Sequence, residues 1–290
     1  MASSLKQHIR IAKRNSKITP KLHAWLHNHP DGIKIATEEV ATKVLDILKP
    51  SSGDRSGVFH PSELYNCQRH QIFNFFGAPV KYQSYNPTLQ NLFNDGHFRH
   101  LRWQIMLLNA GILTDVEVGV FMPEYRLGGS MDGVNDKDGW MFELKGTSQY
   151  QQVIRKGAMP QHVKQVNAYL MASGLEQALI VYECKSSQQW VEMEVQKDPK
   201  VVDELEEILQ SLNQALETGV MPEVLDDCKN KTGPKFAACP HSEACLGIGR
   251  TEEIATFVPV GPRSTDSGRN ESGNRRVRLR ASGKGRPTNR

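Results

Sequence analysis

The chain has 290 residues, 38% of them hydrophobic, with 36 Lys and Arg against 32 Asp and Glu. That length suits one large domain, or one domain with appendages. No run approaches the roughly 18 apolar residues of a membrane-spanning helix, and no apolar stretch near the start reads as a secretory signal. Five cysteines, an odd number without a ladder of short spacings, argue against a secreted disulfide scaffold and for a reduced, cytoplasmic compartment. The charge is uneven. Residues 261–290 carry nine Lys or Arg and two acids, a local +7, so the other 260 residues net −3 against the chain's +4. The first 30 residues hold six Lys or Arg and no acid before Asp31. Basic ends around a mildly acidic body suit tails that touch a polyanion, or tails that are only solvated.

Residues 1–57 read as a basic N-terminal helical segment. An acid-free start also fits a transit peptide, but its apolar spacing is poor and His and Pro interrupt it. Residues 37–48 (TEEVATKVLDIL) have the spacing of an amphipathic helix. Residues 50–57 are a loop of Ser, Gly, Pro and Asp. Ser62 is placed to cap a helix running to Phe76, stopped by Gly77 and Pro79. Pro87 and Thr88 open the next helix, which runs to Asn109 and ends at Gly111. The period then changes to two. Asp115–Met122, Tyr125–Val134 and Trp140–Lys145 predict three strands in an antiparallel meander, with Asn135, Asp136 and Gly139 at the second turn. Pro160–Met171 is a helix stopped by Gly174. Ala178–Glu183 (ALIVYE) is a continuous apolar run up to its closing Glu, as a buried central strand is, and Trp190–Val195 reads as its edge neighbour. Asp198 caps a helix to Thr218. Residues 222–250 look irregular and cysteine-rich. From Arg263 the composition of Gly, Ser, Arg and Asn reads as disordered. The order predicts an α/β domain with a mixed sheet flanked by helices over residues 58–250, followed by a basic tail over 251–290.

Three charged residues stand out. Asp132 lies in GGSMDG, where a strand turns. Glu143 and Lys145 lie two apart in FELKG and so face one side of the sheet. Two carboxylates can hold Mg²⁺ or Mn²⁺ through oxygen, with the Leu144 carbonyl as a further ligand, and the lysine can orient water or stabilise a phosphoryl transition state. Alone, such a set also occurs on many exposed strands. Here Phe142 and Leu144 alternate with the charges, which predicts one core face and one charged face. Gly96 and His100 share a helix face, as do Gln165 and Tyr169 in QVNAY.

In this order and spacing, Gly96-x3-His100, GGSMDG, ELK and QVNAY resemble the PD-(D/E)xK nuclease superfamily, in its RecB-like branch, over roughly residues 60–245. Met131 stands where the family has Pro. The resemblance implies a restriction-endonuclease-like core. It implies that His100, Asp132 and Glu143 bind divalent metal, that Lys145 is the catalytic lysine, and that Gln165 and Tyr169 bind DNA. The strand VYECKSSQQW is similar to one in phage-type relatives, which makes Lys185 a candidate phosphate contact.

Cys67 precedes this core, and Cys228, Cys239 and Cys245 follow it. Four thiolates suit zinc or a [4Fe–4S] cluster, and the last spacings are wide for a zinc ribbon. One cysteine before and three after is similar to the iron–sulfur clasp of CRISPR-associated RecB-like exonucleases, which implies a [4Fe–4S] cluster. Cys184 reads as a buried structural thiol. The expected function is a metal-dependent DNA exonuclease of replication, recombination or repair, in the host cytoplasm if phage-encoded. It would act on single strands or duplex ends. No P-loop is present, so a helicase or recombination partner would supply any unwinding. The alternatives are a non-catalytic nucleic-acid-binding module and an α/β interaction protein with a structural zinc.

Overall fold

A computed structural model describes residues 16–49, 55–78, 87–229 and 233–247 of the protein. The tail expected at 251–290, most of the loop at 50–57 and the first residues of the N-terminal segment lie outside the described residues. Two helices come first, α1 (Thr19–Asn28) and α2 (Glu38–Leu48). The Thr37 side chain accepts the Val40 N–H and caps α2, with Glu38 and Glu39 in its first turn, where the helix dipole favours anions. α3 (Gln68–Phe75) and α4 (Pro87–Asn109) follow. The Ser62 cap is corrected: Pro61–Glu63 is a separate 3₁₀ turn, and α3 starts only after Cys67.

Five strands form one sheet: β1 (Asp115–Met122), β2 (Leu127–Asn135), β3 (Trp140–Thr147), β4 (Gln177–Cys184) and β5 (Trp190–Gln196), adjacent in that order. β3 and β4 are parallel and all other neighbours antiparallel, so the sheet is mixed, as the sequence predicts. The parallel pair needs a crossover, supplied by α5 (Tyr150–Lys156) and α6 (Pro160–Ser173). α5 is short and was not predicted. The long helix α7 (Pro199–Thr218) follows β5, its first turn capped by the Asp198 carboxylate, which accepts the Lys200 N–H at 3.0 Å. The segment expected to be irregular after residue 222 carries three short helices, α8 (Asp226–Lys229), α9 (Pro234–Ala238) and α10 (Ser242–Gly247).

The sheet separates two cores. On one face Trp140, Phe142, Leu144, Leu179 and Val181 pack beneath α4 and α1, with Trp103, Leu107, Ile18 and Leu22 all nearly free of solvent. Fully burying side chains of this size contributes about 1.5–3 kcal/mol each. Glu192 on this face draws the α1 N-terminus down, its carboxylate accepting the Ile18 and Thr19 N–H groups at 3.1 Å. On the other face Met141, Ala178, Ile180 and Tyr182 pack beneath α6. A third cluster joins α3, the outer side of α6 and α7, and takes in Ala244 and Cys245. Among the described residues no helix is long and apolar enough to cross a membrane.

Candidate active site and a four-cysteine cavity

The site begins where the sheet comes apart. β3 pairs with β4 along its whole length, Trp140↔Gln177 to Thr147↔Cys184. Its ladder to β2 stops at Gly133↔Phe142. From Glu143 onward β3 therefore has an open edge, and the Leu144 N–H donates to Asp132 Oδ2 at 2.7 Å instead of to a backbone carbonyl. The N–H and C=O of one strand residue point the same way, so the Leu144 carbonyl opens onto the same gap.

The strands are irregular here. Residues two apart on a strand share a face. Yet Val116 joins the α4-side core and Val118 the α6-side core, while Met131 and Val134, three apart, both join the α6 side. The alternation is reset at Glu117 and Asp132, and Glu117 sits at φ +49° within β1. Gln104 bridges this point, donating to Glu117 Oε1 at 2.8 Å and to the Asp132 carbonyl at 2.9 Å. The neighbouring Gly133 is required by space, because a Cβ there would lie 2.6 Å from Leu113 Cδ1. Gly129 is closely covered on the other face, where a Cβ would come within 3.2 Å of the Tyr169 ring.

Asp132 Oδ1 faces His100 Nδ1 of α4 at 3.2 Å. Glu143 Oε1 faces Lys145 Nζ at 2.6 Å and accepts the Gln165 amide of α6 at 2.8 Å. Its other oxygen, Oε2, is buried without a hydrogen-bond partner. The carboxylates are thus served from two layers, Asp132 from α4 and Glu143 from α6. Burial and the Asp132 charge push Glu143 up to about 7, against the pull of Lys145. Burial pushes Asp132 up as well, but His100, Lys145 and the Leu144 N–H outweigh it and hold Asp132 below the usual carboxylate value. One carboxyl raised and its neighbour lowered is the pattern of a site that uses two acids differently. Burial works against the charges of His100 and Lys145, yet the two carboxylates outweigh it and raise both cations.

The sequence-predicted residues His100, Asp132, Glu143, Leu144, Lys145 and Gln165 therefore meet at one place. Tyr169 lies one helical turn beyond Gln165, buried on Gly129, its phenol pushed up by burial. Gly96 faces open space. Lys185 lies at the edge of the site, where its Cε and the Arg99 side chain flank Gly146. Arg99 was not singled out from sequence. It binds Glu183 at 2.6 Å and Asp95 at 2.9 Å, and Arg102 binds Glu183 as well. His162 was also missed. The Tyr182 hydroxyl accepts the Met159 N–H and shares a hydrogen bond with His162 Nδ1 at 2.9 Å, and burial, aided by Lys145, lowers His162 to about 4. The only sequence signals were a basic pair beside His100 and the single His on the QVNAY helix.

Cys184 corrects an expectation. It ends β4 partly exposed, beside a cavity of about 540 Å³ lined by Ser148, Gln149, Arg155, Ser186 and Gln189. Hydrogen bonds from Ser186 and Ser187 lower its thiol to about 6.

The other four cysteines all line one separate cavity of about 430 Å³, between the start of α3 and the α8–α10 segment. All are free thiols. Burial raises Cys228 and Cys245, and each is raised further by the neighbouring cysteines. Among the described residues no three His, Cys, Asp or Glu side chains converge closely enough to hold a single ion. At the sheet gap the reason is visible, since Asp132 is turned onto His100 and Leu144, and Glu143 onto Lys145 and Gln165.

No protein-family model and no curated protein matches the chain. Among solved structures, LHK-Exo in complex with dAMP aligns with a TM-score of 0.44 and 19% identity, over 57% of this chain and 90% of its own. The alkaline exonuclease LHK-Exo from Laribacter hongkongensis aligns at 0.43 and 20% identity, over 63% and 94%. SSO0001 aligns at 0.41 and 16% identity, over 70% and 94%.

Proposed function

We propose that the protein is a divalent-metal-dependent deoxyribonuclease of the PD-(D/E)xK type, an exonuclease hydrolysing phosphodiester bonds at DNA ends in replication, recombination or repair. The observation that carries this reading is the gap between β2 and β3, where Asp132, Glu143 and Lys145 meet and one Glu143 oxygen is buried with no partner. The donor chemistry fits Mg²⁺ or Mn²⁺: Glu143 Oε2, the Asp132 carboxylate and the Leu144 carbonyl are hard oxygens on one opening, with the His100 imidazole beside them. These are the groups that would hold the ion. A bound ion supplies an acidified water and neutralises charge on a phosphoryl oxygen.

The chain's own residues do the rest. Lys145 is held as an ammonium by Glu143 and Asp132, so it serves as a charge and a donor toward the attacked phosphate, not as a base. Gln165 fixes the Glu143 carboxylate, and His100 fixes that of Asp132. Arg102 and Lys185 offer charge to the backbone phosphates flanking the gap. In the reaction a water oxygen bonds to phosphorus as one ester P–O bond breaks. One product carries the phosphate, and the departing oxygen takes a proton to become a hydroxyl. Unwinding of duplex DNA would fall to a helicase or recombination partner.

The second element of the reading is a clasp. Four free thiols from opposite ends of the core line one cavity, the donor set of a tetrathiolate [4Fe–4S] centre, with zinc, which would need them drawn closer together, as the alternative. It would tie Cys67 to the C-terminal helices and close a long loop. The nuclease reading is tested with end-labelled single- and double-stranded DNA in Mg²⁺, Mn²⁺ or EDTA. Release of labelled mononucleotides with metal and none in EDTA supports it. Intact substrate under every condition contradicts it.

A further inference from the structure

The four-cysteine cavity contains a charge that the clasp reading leaves unexplained. Arg69, in the first turn of α3, is only 4% exposed and lines the cavity. Its Nε and Nη2 are buried without hydrogen-bond partners. A guanidinium cannot shed its proton in a protein, so burial leaves a fixed cation that needs an anion. No Asp or Glu lines this cavity. Its other cation, Lys235, already pairs with Asp227 at 2.7 Å. The cavity wall that Arg69 shares carries instead four thiols that can ionise on binding metal, Cys67, Cys228, Cys239 and Cys245. Ser242 Oγ is a further buried, unpartnered group on the same wall.

We infer that Arg69 is the counter-charge and hydrogen-bond donor of a dianionic tetrathiolate centre held by Cys67, Cys228, Cys239 and Cys245, and that it sets how tightly that centre holds its metal and its electrons. Four thiolates around zinc, or around an oxidised [4Fe–4S] core, leave the same net dianion. Arg69 offsets half of it, and its free N–H groups are donors to thiolate or sulfide sulfur. Reduction of an iron–sulfur core adds a further negative charge beside the guanidinium. The cation therefore favours the reduced form, and its loss lowers the reduction potential. The inference rests on the clasp reading, so the two are tested in sequence.

Full-length protein purified without oxygen is first analysed for iron, sulfide and zinc. Stoichiometric metal that is lost from Cys67→Ser supports the clasp. Neither metal in the wild type overturns the clasp and this inference together. With iron and sulfide present, EPR-monitored titration should place the midpoint of Arg69→Gln lower by at least a tenfold change in the reduction equilibrium, about 59 mV for one electron. Arg69→Lys, which keeps the charge, should move less than half as far. With zinc, Arg69→Gln should release metal to a chelator at least tenfold faster. If Arg69→Gln does not fold, wild-type protein labelled with ¹⁵N-arginine decides. Pulsed EPR of the reduced cluster should show an arginine nitrogen coupling that Arg69→Lys lacks, and in the zinc form an arginine Nε–H should lose its exchange protection when the metal is removed. Full metal content with an unchanged midpoint or release rate in Arg69→Gln, or no arginine nitrogen signal in the wild type, overturns the role of Arg69 and leaves the clasp standing.

Discussion

Glu143→Gln separates a carboxylate kept for a ligand from one kept for structure. The side chain is 2% exposed, and its rise from 4.5 to about 7 means that the ionised form carries ~3 kcal/mol of destabilisation above pH 7. The sign follows from proton counting. Between pH 4.5 and 7 the folded protein holds a proton that the unfolded chain has released, so the stability contributed by this group is complete below 4.5 and is lost as pH rises through 7. Glutamine keeps the shape and the Gln165 contact but cannot ionise. It also removes the partner that Lys145 holds at 2.6 Å, which returns part of the gain and leaves ~1–2 kcal/mol at pH 8. For a domain of this size that is a Tm rise of roughly 2–8 °C. The assay is thermal unfolding of both proteins in EDTA at pH 8 and pH 5. Glu143→Gln should melt higher at pH 8, and most of the difference should vanish at pH 5. In excess Mg²⁺ at pH 8 the order should reverse, since ligand bound at a hundredfold over its Kd stabilises the wild type by about 2.7 kcal/mol. A Glu143→Gln protein less stable than wild type in EDTA at pH 8 would overturn this role, because Glu143 would then be a structural partner of Lys145.

Three further outcomes follow. His162, lowered to about 4 from 6.5, binds its proton more weakly in the folded state, so stability should fall as pH drops through that window. Allowing for its partial exposure, His162→Gln should flatten this fall by ~1–2 kcal/mol in denaturant titrations at pH 4 and 7, and an unchanged pH profile would place the titrating group elsewhere. Gly96 lies inside α4 and a Cβ there meets nothing within 4 Å, so Gly96→Ala should stabilise by ~1 kcal/mol in the same titration, and a loss would mean the helix face is covered. Deleting residues 261–290, which carry a local +7, should weaken DNA binding without regard to sequence and reduce the salt slope of log Kd by up to roughly 6. An unchanged slope would place the phosphate contacts within the domain.

Much of this fold is legible in the sequence because its signals are local. The change from period 3.6 to period 2 at Asp115, the apolar run ALIVYE, and the cap Asp198 each depend on neighbours within a few residues. The Glu143–Lys145 pair is readable for the same reason, since two residues on one strand share a face. What was missed depends on long-range geometry. Nothing near Asp132 in sequence announces that β2 leaves β3 at Gly133, or that the pleat is reset opposite Glu117. Arg99 finds Glu183 84 residues away, and His162 is held neutral by burial against the sheet, where it meets Tyr182 on another element. Ser62 looked like a cap because its residue type is right, yet α3 begins five residues later, after Cys67. Cys184 looked buried because its strand is, but it is the last residue of that strand and faces the outer cavity. The four cysteines could be grouped by count and spacing, whereas Arg69 among them is seen only once the cavity exists.

The central claim is that Asp132, Glu143 and Lys145 cleave DNA with a divalent metal. The most direct measurement is single-turnover cleavage of end-labelled DNA, already bound to excess protein and started with Mg²⁺, for the wild type and Lys145→Met. The wild type should cleave in a metal-dependent way and Lys145→Met at a rate at least a thousandfold lower, roughly 4 kcal/mol of lost transition-state stabilisation, with DNA affinity within about threefold. Equal rates for the two proteins, or a wild type that leaves bound DNA intact in Mg²⁺ and in Mn²⁺, would contradict it.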